Sequence, residues 1–361
     1  MFNRKYLAVD IGNKNIKIVH GMFRKGKVEI TEYGIIDTPV NSIRDGKISN
    51  LSLIAKCIND VSNEKKMSAK RLILNVSGTG VITRDIQVPK ASLDEIEKML
   101  EFEAQQYFPV DLSSYVIDFK ILEEIESQEG IFYRIFLAAV PVKQVEEYMK
   151  LSELLKMNIS AIDIPANCVL KLIFDAAPKK GKEGTKASEY PDEFAVIDIG
   201  HSTTGVCIFS DRKLKFNRIL HNGSGDIDKY ISTAFDFDFK EAENRKIIKG
   251  HILENDSDYD EDLLNLSNIL KQAVDNLAVE INRFFEFYSS RNSQNRLEKI
   301  YICGGGSRLK GLEGYLSGFF NVPVEALKPG SHIEYKGRKN RDAFNADYAL
   351  LINAIGAMIR D

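Results

Sequence analysis

The sequence predicts an α/β protein of two similar halves that face each other across a cleft. Three observations predict it. The tripeptide Asp-Ile-Gly ends an apolar run twice, half a chain apart. The copies are Leu7-Ala8-Val9-Asp10-Ile11-Gly12-Asn13-Lys14-Asn15 and Phe194-Ala195-Val196-Ile197-Asp198-Ile199-Gly200-His201-Ser202-Thr203-Thr204. A third apolar strand, from Lys299 to Cys303, runs into Gly304-Gly305-Gly306-Ser307. The chain has 361 residues, more than one small core organises, so two domains are expected.

Each Asp-Ile-Gly reads as strand, turn, strand. Such a hairpin presents backbone N–H groups beside a carboxylate, which suits a phosphate with its magnesium ion. Either copy alone reads as an ordinary turn, because Gly tolerates positive φ and Asp caps its own backbone. The third element adds weight. Three successive glycines let the backbone approach a flat ligand or a phosphate closely, ahead of a helical stretch through Leu309, Leu312, Leu316 and Phe319. Neither a Rossmann G-x-G-x-x-G nor a P-loop is present.

The remaining elements follow in order. Residues 5–40 alternate strand and turn signals, as in an antiparallel meander. Leu51, Ile54, Ile58 and Val61 recur at helical spacing within 50–67. Strands are expected at 71–77 and 81–88. Ser92 and Glu95 form a capping box, opening a helix with Ile96, Met99, Leu100 and Tyr107 that stops before Pro109. Strands at 115–122 and 131–139, a helix from Pro141 through Tyr148 to Leu155, and a strand at 158–164 complete a β-α-β-β-α-β block. Residues 81–158 of it read as an inserted subdomain. A helix is expected from Asn167 to Phe174. Residues 178–193 are rich in Lys, Gly and Glu and read as a mobile loop between the halves. Residues 254–262 are acidic but lack the Gly and distal Glu of a calcium loop, so they read as solvated. Apolar residues from Leu266 to Tyr288 keep a 3.6-residue period and predict one long helix. Residues 329–345 look turn-rich, and a last helix covers Ala346 to Ile359.

These elements divide the chain into a first core half (1–80, 159–190, 346–361), the inserted block, a second core half (191–225, 298–345) and a helical subdomain (226–297). Composition narrows the function. A net charge of −3 leaves no basic footprint for nucleic acid. The four cysteines show no C-x-x-C spacing and read as reduced thiols of a cytoplasmic protein. The five histidines lie too far apart for a zinc site. The chain enters a strand within a few residues, so no signal peptide is read, and no apolar run approaches a membrane span.

In this order, the two Asp-Ile-Gly hairpins and the triple glycine resemble the two phosphate motifs and the adenosine motif of the actin-like ATPases. The resemblance implies two ribonuclease-H-like halves around ATP and Mg²⁺. It narrows at Glu101-Phe-Glu-Ala-Gln-Gln-Tyr-Phe-Pro109-Val-Asp-Leu-Ser-Ser-Tyr-Val-Ile-Asp118, which resembles the signature of the type IV pilus assembly protein PilM family. That signature lies in the inserted subdomain that PilM shares with the cell-division protein FtsA. Ala242, Glu243 and Lys246 fit both families. FtsA carries a membrane-binding amphipathic helix after its core. Here the last core-type helix has little basic character, which favours PilM and leaves direct membrane insertion unsupported.

The resemblance then implies roles. Asp10 and Asp198 hold magnesium, through its waters. Backbone amides of Gly12, Asn13, Lys14 and Asn15, and of Gly200, His201, Ser202 and Thr203 with Thr204 beyond, cradle the phosphates. Lys17 matches a phosphate-contacting lysine, although alternation alone would send it to solvent. Lys14 reads as a solvated turn residue beside it. Gly304, Gly305, Gly306 and Ser307 lie against adenosine and the α-phosphate. Glu243 and Lys246 approach the ribose and adenine, or else form an exposed helix face. Asn167 stands where actin has a water-orienting glutamine, one methylene shorter, or serves as a helix cap. Hydrolysis is expected to be slow. PilM implies a cytoplasmic protein held at the inner membrane by the N-terminal cytoplasmic tail of PilN, with other platform proteins and assembly ATPases as further partners. Phe102, Tyr107, Phe108 and Val110 are candidate walls of the peptide groove, or plain core. An FtsA-like filament would show itself as polymer on ATP addition. A small-molecule kinase would need an acidic base after the first Asp-Ile-Gly, and none is evident.

Overall fold

The computed structural model describes residues 5–175, 190–254, 260–291 and 296–360. The expected mobile loop of 178–193 lies outside the described residues up to 189, as does the middle of the acidic stretch, 255–259.

The first half opens with the expected meander β1 (Tyr6–Ile11), β2 (Asn15–Arg24) and β3 (Lys27–Asp37). A two-strand ribbon, β4 (Ile43–Arg44) and β5 (Lys47–Ile48), leads to α1 (Leu51–Glu64), whose first turn is capped by the Asn50 side chain. β6 (Arg71–Asn75) then runs parallel to β1. The chain leaves this sheet for β7 (Ile82–Pro89), α2 (Leu93–Glu103), β8 (Tyr115–Ser127) and β9 (Gly130–Pro141). The Ser92–Glu95 capping box forms as expected, and a single 3-10 turn (Ala104–Tyr107) finishes α2.

α3 (Val142–Leu155), β10 (Asn158–Asp163) and α4 (Pro165–Leu170) return to the first half. The block expected as one unit therefore packs in two parts. β7, β9 and β8 form their own three-stranded sheet over a small core with Val88, Ile96, Leu100 and Phe108. α3 instead buries Tyr148, Leu151 and Leu155 in the first half's core, and β10 pairs with β6. Of the candidate groove residues, Phe108 is core, whereas Phe102 is 84% exposed.

The second half contains β11 (Glu193–Ile199), β12 (Thr204–Ser210), β13 (Lys213–Leu220), α5 (Ser224–Phe235), α6 (Phe239–Lys249), the long α7 (Glu261–Arg291), β14 (Lys299–Cys303), α8 (Leu312–Phe320) and β15 (Val324–Ala326). β16 (Ile333–Tyr335) lies in the stretch read as turns and pairs with β3 of the first sheet. α9 (Arg341–Ala357) starts five residues earlier than expected because Asn340 caps it.

The two large sheets match over five strands, β10-β6-β1-β2-β3 against β15-β14-β11-β12-β13, and β16 adds a sixth to the first. In both, the strand ending in Asp-Ile is antiparallel to the next strand and parallel to a later one. Alternation on β11 aims Asp198. Ala195, Ile197 and Ile199 pack with α7 in the second core, whereas Phe194 and Val196 face the first. A period of two puts Asp198 on the side of Phe194 and Val196, toward the first half. Phe194 stacks on Phe209 there at 5.1 Å, and burying each such side chain contributes ~1.5–3 kcal/mol.

Candidate functional site

The two hairpins are built alike. The Gly12 N–H donates to Asn15 O and the Gly200 N–H to Thr203 O, each at 2.9 Å. Both glycine amides are thus spent on their own turns and are not available to a phosphate. Register places Asp10 beside Lys17 on one neighbouring strand and Asn75 on the other. Asp198 lies correspondingly beside Gly205 and Cys303.

Asp10 is buried, and the Lys17 ammonium lies 3.0 Å from its carboxylate. The Lys17 side chain is only 16% exposed, so it turns into the cleft and not to solvent. Among the described residues no cation touches Asp198. Its carboxylate accepts from the Asn353 amide at 3.0 Å. Burial pushes the Asp198 carboxyl above its ordinary range, a shift that Asn353 and Lys17 oppose and Asp10 reinforces.

The triple-glycine loop closes on the same carboxylate. Gly304 has φ +80°, and a Cβ there would lie 2.4 Å from Asp198 Oδ1 and 2.5 Å from Ile199 O. Its N–H donates to Ala349 O of α9, and the Ser307 hydroxyl donates to Gly304 O. A 3-10 turn, Gly305–Arg308, follows, and α8 begins only at Leu312. The helix expected directly after the glycines is therefore displaced by a turn.

Two contacts cross between the hairpin of the first half and the second half. Asn13 donates to the Ser202 hydroxyl at 2.8 Å, and Lys14 pairs with Glu243 at 2.6 Å. Lys14 is thus a cross-cleft partner, not a solvated turn residue. Other expected residues are engaged elsewhere. The Thr204 hydroxyl donates to Asn222 O, and the Asn15 amide donates to Asp37. Lys246 donates to Ser224 O and pairs with Asp228 at 2.7 Å. His201 lies against Gly225, where burial and the Lys246 charge hold its imidazole below the ordinary range.

Asn167 is the third residue of α4, behind an Ile164 cap and Pro165, so it is not the helix cap. Its amide donates to Asp163 at 2.8 Å. Lys171 and Arg360 complete that cluster at 2.7 and 3.0 Å, and together these partners keep Asp163 below the usual carboxylate range despite burial.

Among the described residues, no three His, Cys, Asp or Glu side chains gather as a metal cage. The donor set, two carboxylates close enough for Asp10 and Lys17 to act on Asp198 through their charges, fits a Mg²⁺ that keeps most of its water. Asp198, held by a neutral amide and by no ion pair among the described residues, can take a cation there. Sequence reading missed Asn353 and the Lys14–Glu243 pair. The signal for Asn353 was a single polar residue inside the apolar run Leu350-Leu351-Ile352-Asn353-Ala354-Ile355.

Two sheets of matching order, each opening on an Asp-Ile-Gly hairpin at a shared cleft, define an actin-like ATPase fold. Solved structures bear this out. EutJ, an ethanolamine utilization protein from Carboxydothermus hydrogenoformans, superposes with TM-score 0.58 at 11% identity over 99% of this chain and 90% of its own. MreB5 of Spiroplasma citri bound to AMPPNP superposes with TM-score 0.51 at 13% identity, covering 99% and 96%. The chain belongs to the type IV pilus assembly protein PilM family, whose profile matches residues 8–361. A solved PilM-PilN type IV pilus biogenesis complex superposes with TM-score 0.83 at 23% identity over 99% of this chain and 100% of that one. FtsA proteins are distant relatives. That of Buchnera aphidicola subsp. Acyrthosiphon pisum (strain APS) is 24% identical over 363 residues, 90% of this chain and 84% of that protein. That of Buchnera aphidicola subsp. Baizongia pistaciae (strain Bp) is 24% identical over 224 residues, 55% of this chain and about half (52%) of the relative.

Proposed function

We propose that this protein is an ATP-binding scaffold of the type IV pilus assembly platform. The observation that carries the reading is the convergence of Asp10, Lys17, Asp198 and Gly304 at the meeting point of two equivalent hairpins. Asp10 and Asp198 would hold a hydrated Mg²⁺, which neutralises the β- and γ-phosphates when bound. Lys17 would pass from Asp10 to a phosphate oxygen. The amides of Asn13, Lys14, His201 and Ser202, not used in closing the turns, would supply donors. Glu243 and Lys246 would approach the ribose and adenine, and Gly305, Gly306 and Ser307 the adenosine.

Turnover is expected to be slow. A positioned group that orients water contributes ~10²–10⁴-fold, and Asn167 is committed to Asp163. The partner is read from the solved PilM-PilN complex, which matches the whole chain. A short tail segment of a PilN-like membrane protein would dock beside the inserted sheet and hold the protein at the cytoplasmic face of the inner membrane. No helix among the described residues is long and apolar enough to cross a membrane.

Calorimetry of Mg·ATP binding to wild type, Asp10→Ala and Asp198→Ala tests the site. Losses of about tenfold or more are expected from each. Undiminished binding by both variants refutes it. Capture of a synthetic PilN tail peptide tests the partner. Phe102→Ser should weaken capture and spare ATP binding. Equal capture places the peptide elsewhere.

A further inference from the structure

α9 joins the halves, and its two faces do different work. Phe344, Tyr348, Leu351, Ile352 and Ile355 lie in the core of the first half. Ala349, Leu350 and Asn353 meet the second half. Ala349 O receives the Gly304 N–H, Leu350 stands 3.5 Å from where a Gly305 Cβ would be, and Asn353 reaches Asp198. The spacing i, i+1, i+4 makes one helical face of these three.

Asn353 carries an unsettled atom. A carboxylate only accepts hydrogen bonds, so the amide must present Nδ2 to Asp198. That leaves Oδ1, a buried acceptor, with no donor among the described residues. A buried acceptor without a donor is destabilising. An apolar side chain would escape that cost but could not hold Asp198.

We propose that Asn353 is a positioning residue of the metal site. Its Nδ2 orients Asp198, and its Oδ1, closed to water in this structure, would accept from a water of the hydrated Mg²⁺ once the cleft opens to admit the ion. The assignment rests on the reading of the cleft as a Mg·ATP site, and it goes further: the metal's outer shell is completed from the joint between the halves. Metal binding is thereby felt by α9, whose other face is the first half's core.

The test measures ATP binding to the full chain by calorimetry, once with Mg²⁺ and once with EDTA. Asn353→Ala should lose about tenfold or more of the affinity that Mg²⁺ adds, the usual effect of losing an outer-shell partner, while affinity in EDTA stays within about twofold. Asn353→Thr, which keeps an acceptor and a donor, should restore most of the Mg²⁺ gain. A full Mg²⁺ gain in Asn353→Ala overturns the assignment. So does an equal loss in both media, the mark of a merely structural residue. Should Asn353→Ala fail to fold, Asn353→Leu, of similar volume but without polar atoms, takes its place: loss of the Mg²⁺ gain with EDTA affinity kept supports the assignment, and a full gain or an equal loss in both media overturns it. Wild type that binds ATP in neither medium removes the nucleotide reading, and this assignment with it.

Discussion

Alanine at each position of the triple glycine should produce graded damage. At Gly304 an added Cβ would lie 2.4 Å from Asp198 Oδ1, where real Cβ contacts do not fall below 3.0 Å. Asp198 or the loop must therefore move by at least the difference, 3.0 − 2.4 = 0.6 Å. The second clash, 2.5 Å from Ile199 O, is with backbone and cannot rotate away. The φ of +80° with a ψ of 175° is a combination essentially confined to glycine and adds ~1–3 kcal/mol. Overpacking adds ~1–3 kcal/mol, so Gly304→Ala should cost about 2–6 kcal/mol. At ~2–4 °C per kcal/mol for a unit of this size, the melting midpoint should fall by about 4–24 °C. Gly305→Ala is the control. Its Cβ would stand 3.5 Å from Leu350, an ordinary contact, with φ outside the left-handed region. It should keep its stability or gain up to about 1 kcal/mol through the unfolded chain. If Gly305 lets a ligand approach, Gly305→Ala should still weaken Mg·ATP binding. Calorimetric melting and ATP titration of both variants decide the matter. Equal melting midpoints for the two would refute the steric account of the loop.

Asp198→Asn should raise stability without ligand while weakening Mg·ATP. A carboxyl held above its unfolded value subtracts stability once pH exceeds that unfolded value. The advantage of the variant should therefore grow from acid to neutral pH, and a constant gap in melting midpoint would contradict it. Arg134→Ala should cost about 3 kcal/mol in urea unfolding, the low end for a broken buried pair, because Lys213 and Lys215 still hold Glu123 and Asp85 is partly exposed. A loss under about 1 kcal/mol would show the cluster to be solvated. A double-mutant cycle on Lys14 and Glu243 should give a coupling of about 0.5–1 kcal/mol that fades at high salt, as expected for half-exposed charges. A coupling near zero at low salt would dissolve the cross-cleft pair.

Much of the fold was legible because its signals are local. The hairpins, the Ser92 cap and the period of α7 each declare themselves within a few residues. The border of the inserted sheet was not. α3 shows an apolar stripe, but a stripe does not say which core receives it, and Tyr148 and Leu151 go to the first half. β16 is three residues long, too short to carry alternation. In the site, the carboxylates and glycines were found from their turns. Asn353 lies 155 residues from Asp198, and Glu243 lies 229 from Lys14, so only the closed fold reveals them. Lys17 was recovered by likeness, since strand alternation pointed it the wrong way.

The near-equivalence of the halves raises a question of direction. A cleft with true twofold symmetry would accept a phosphate chain equally well either way round. The register breaks that degeneracy in the residues beside the two carboxylates. Opposite Asp10 stands Lys17, and opposite Asp198, at the corresponding place, stands Gly205. One end of the duplicated frame carries a cation and the other carries a bare backbone. An anionic chain laid between the hairpins would therefore have a preferred polarity, set in charge by the lysine–glycine difference.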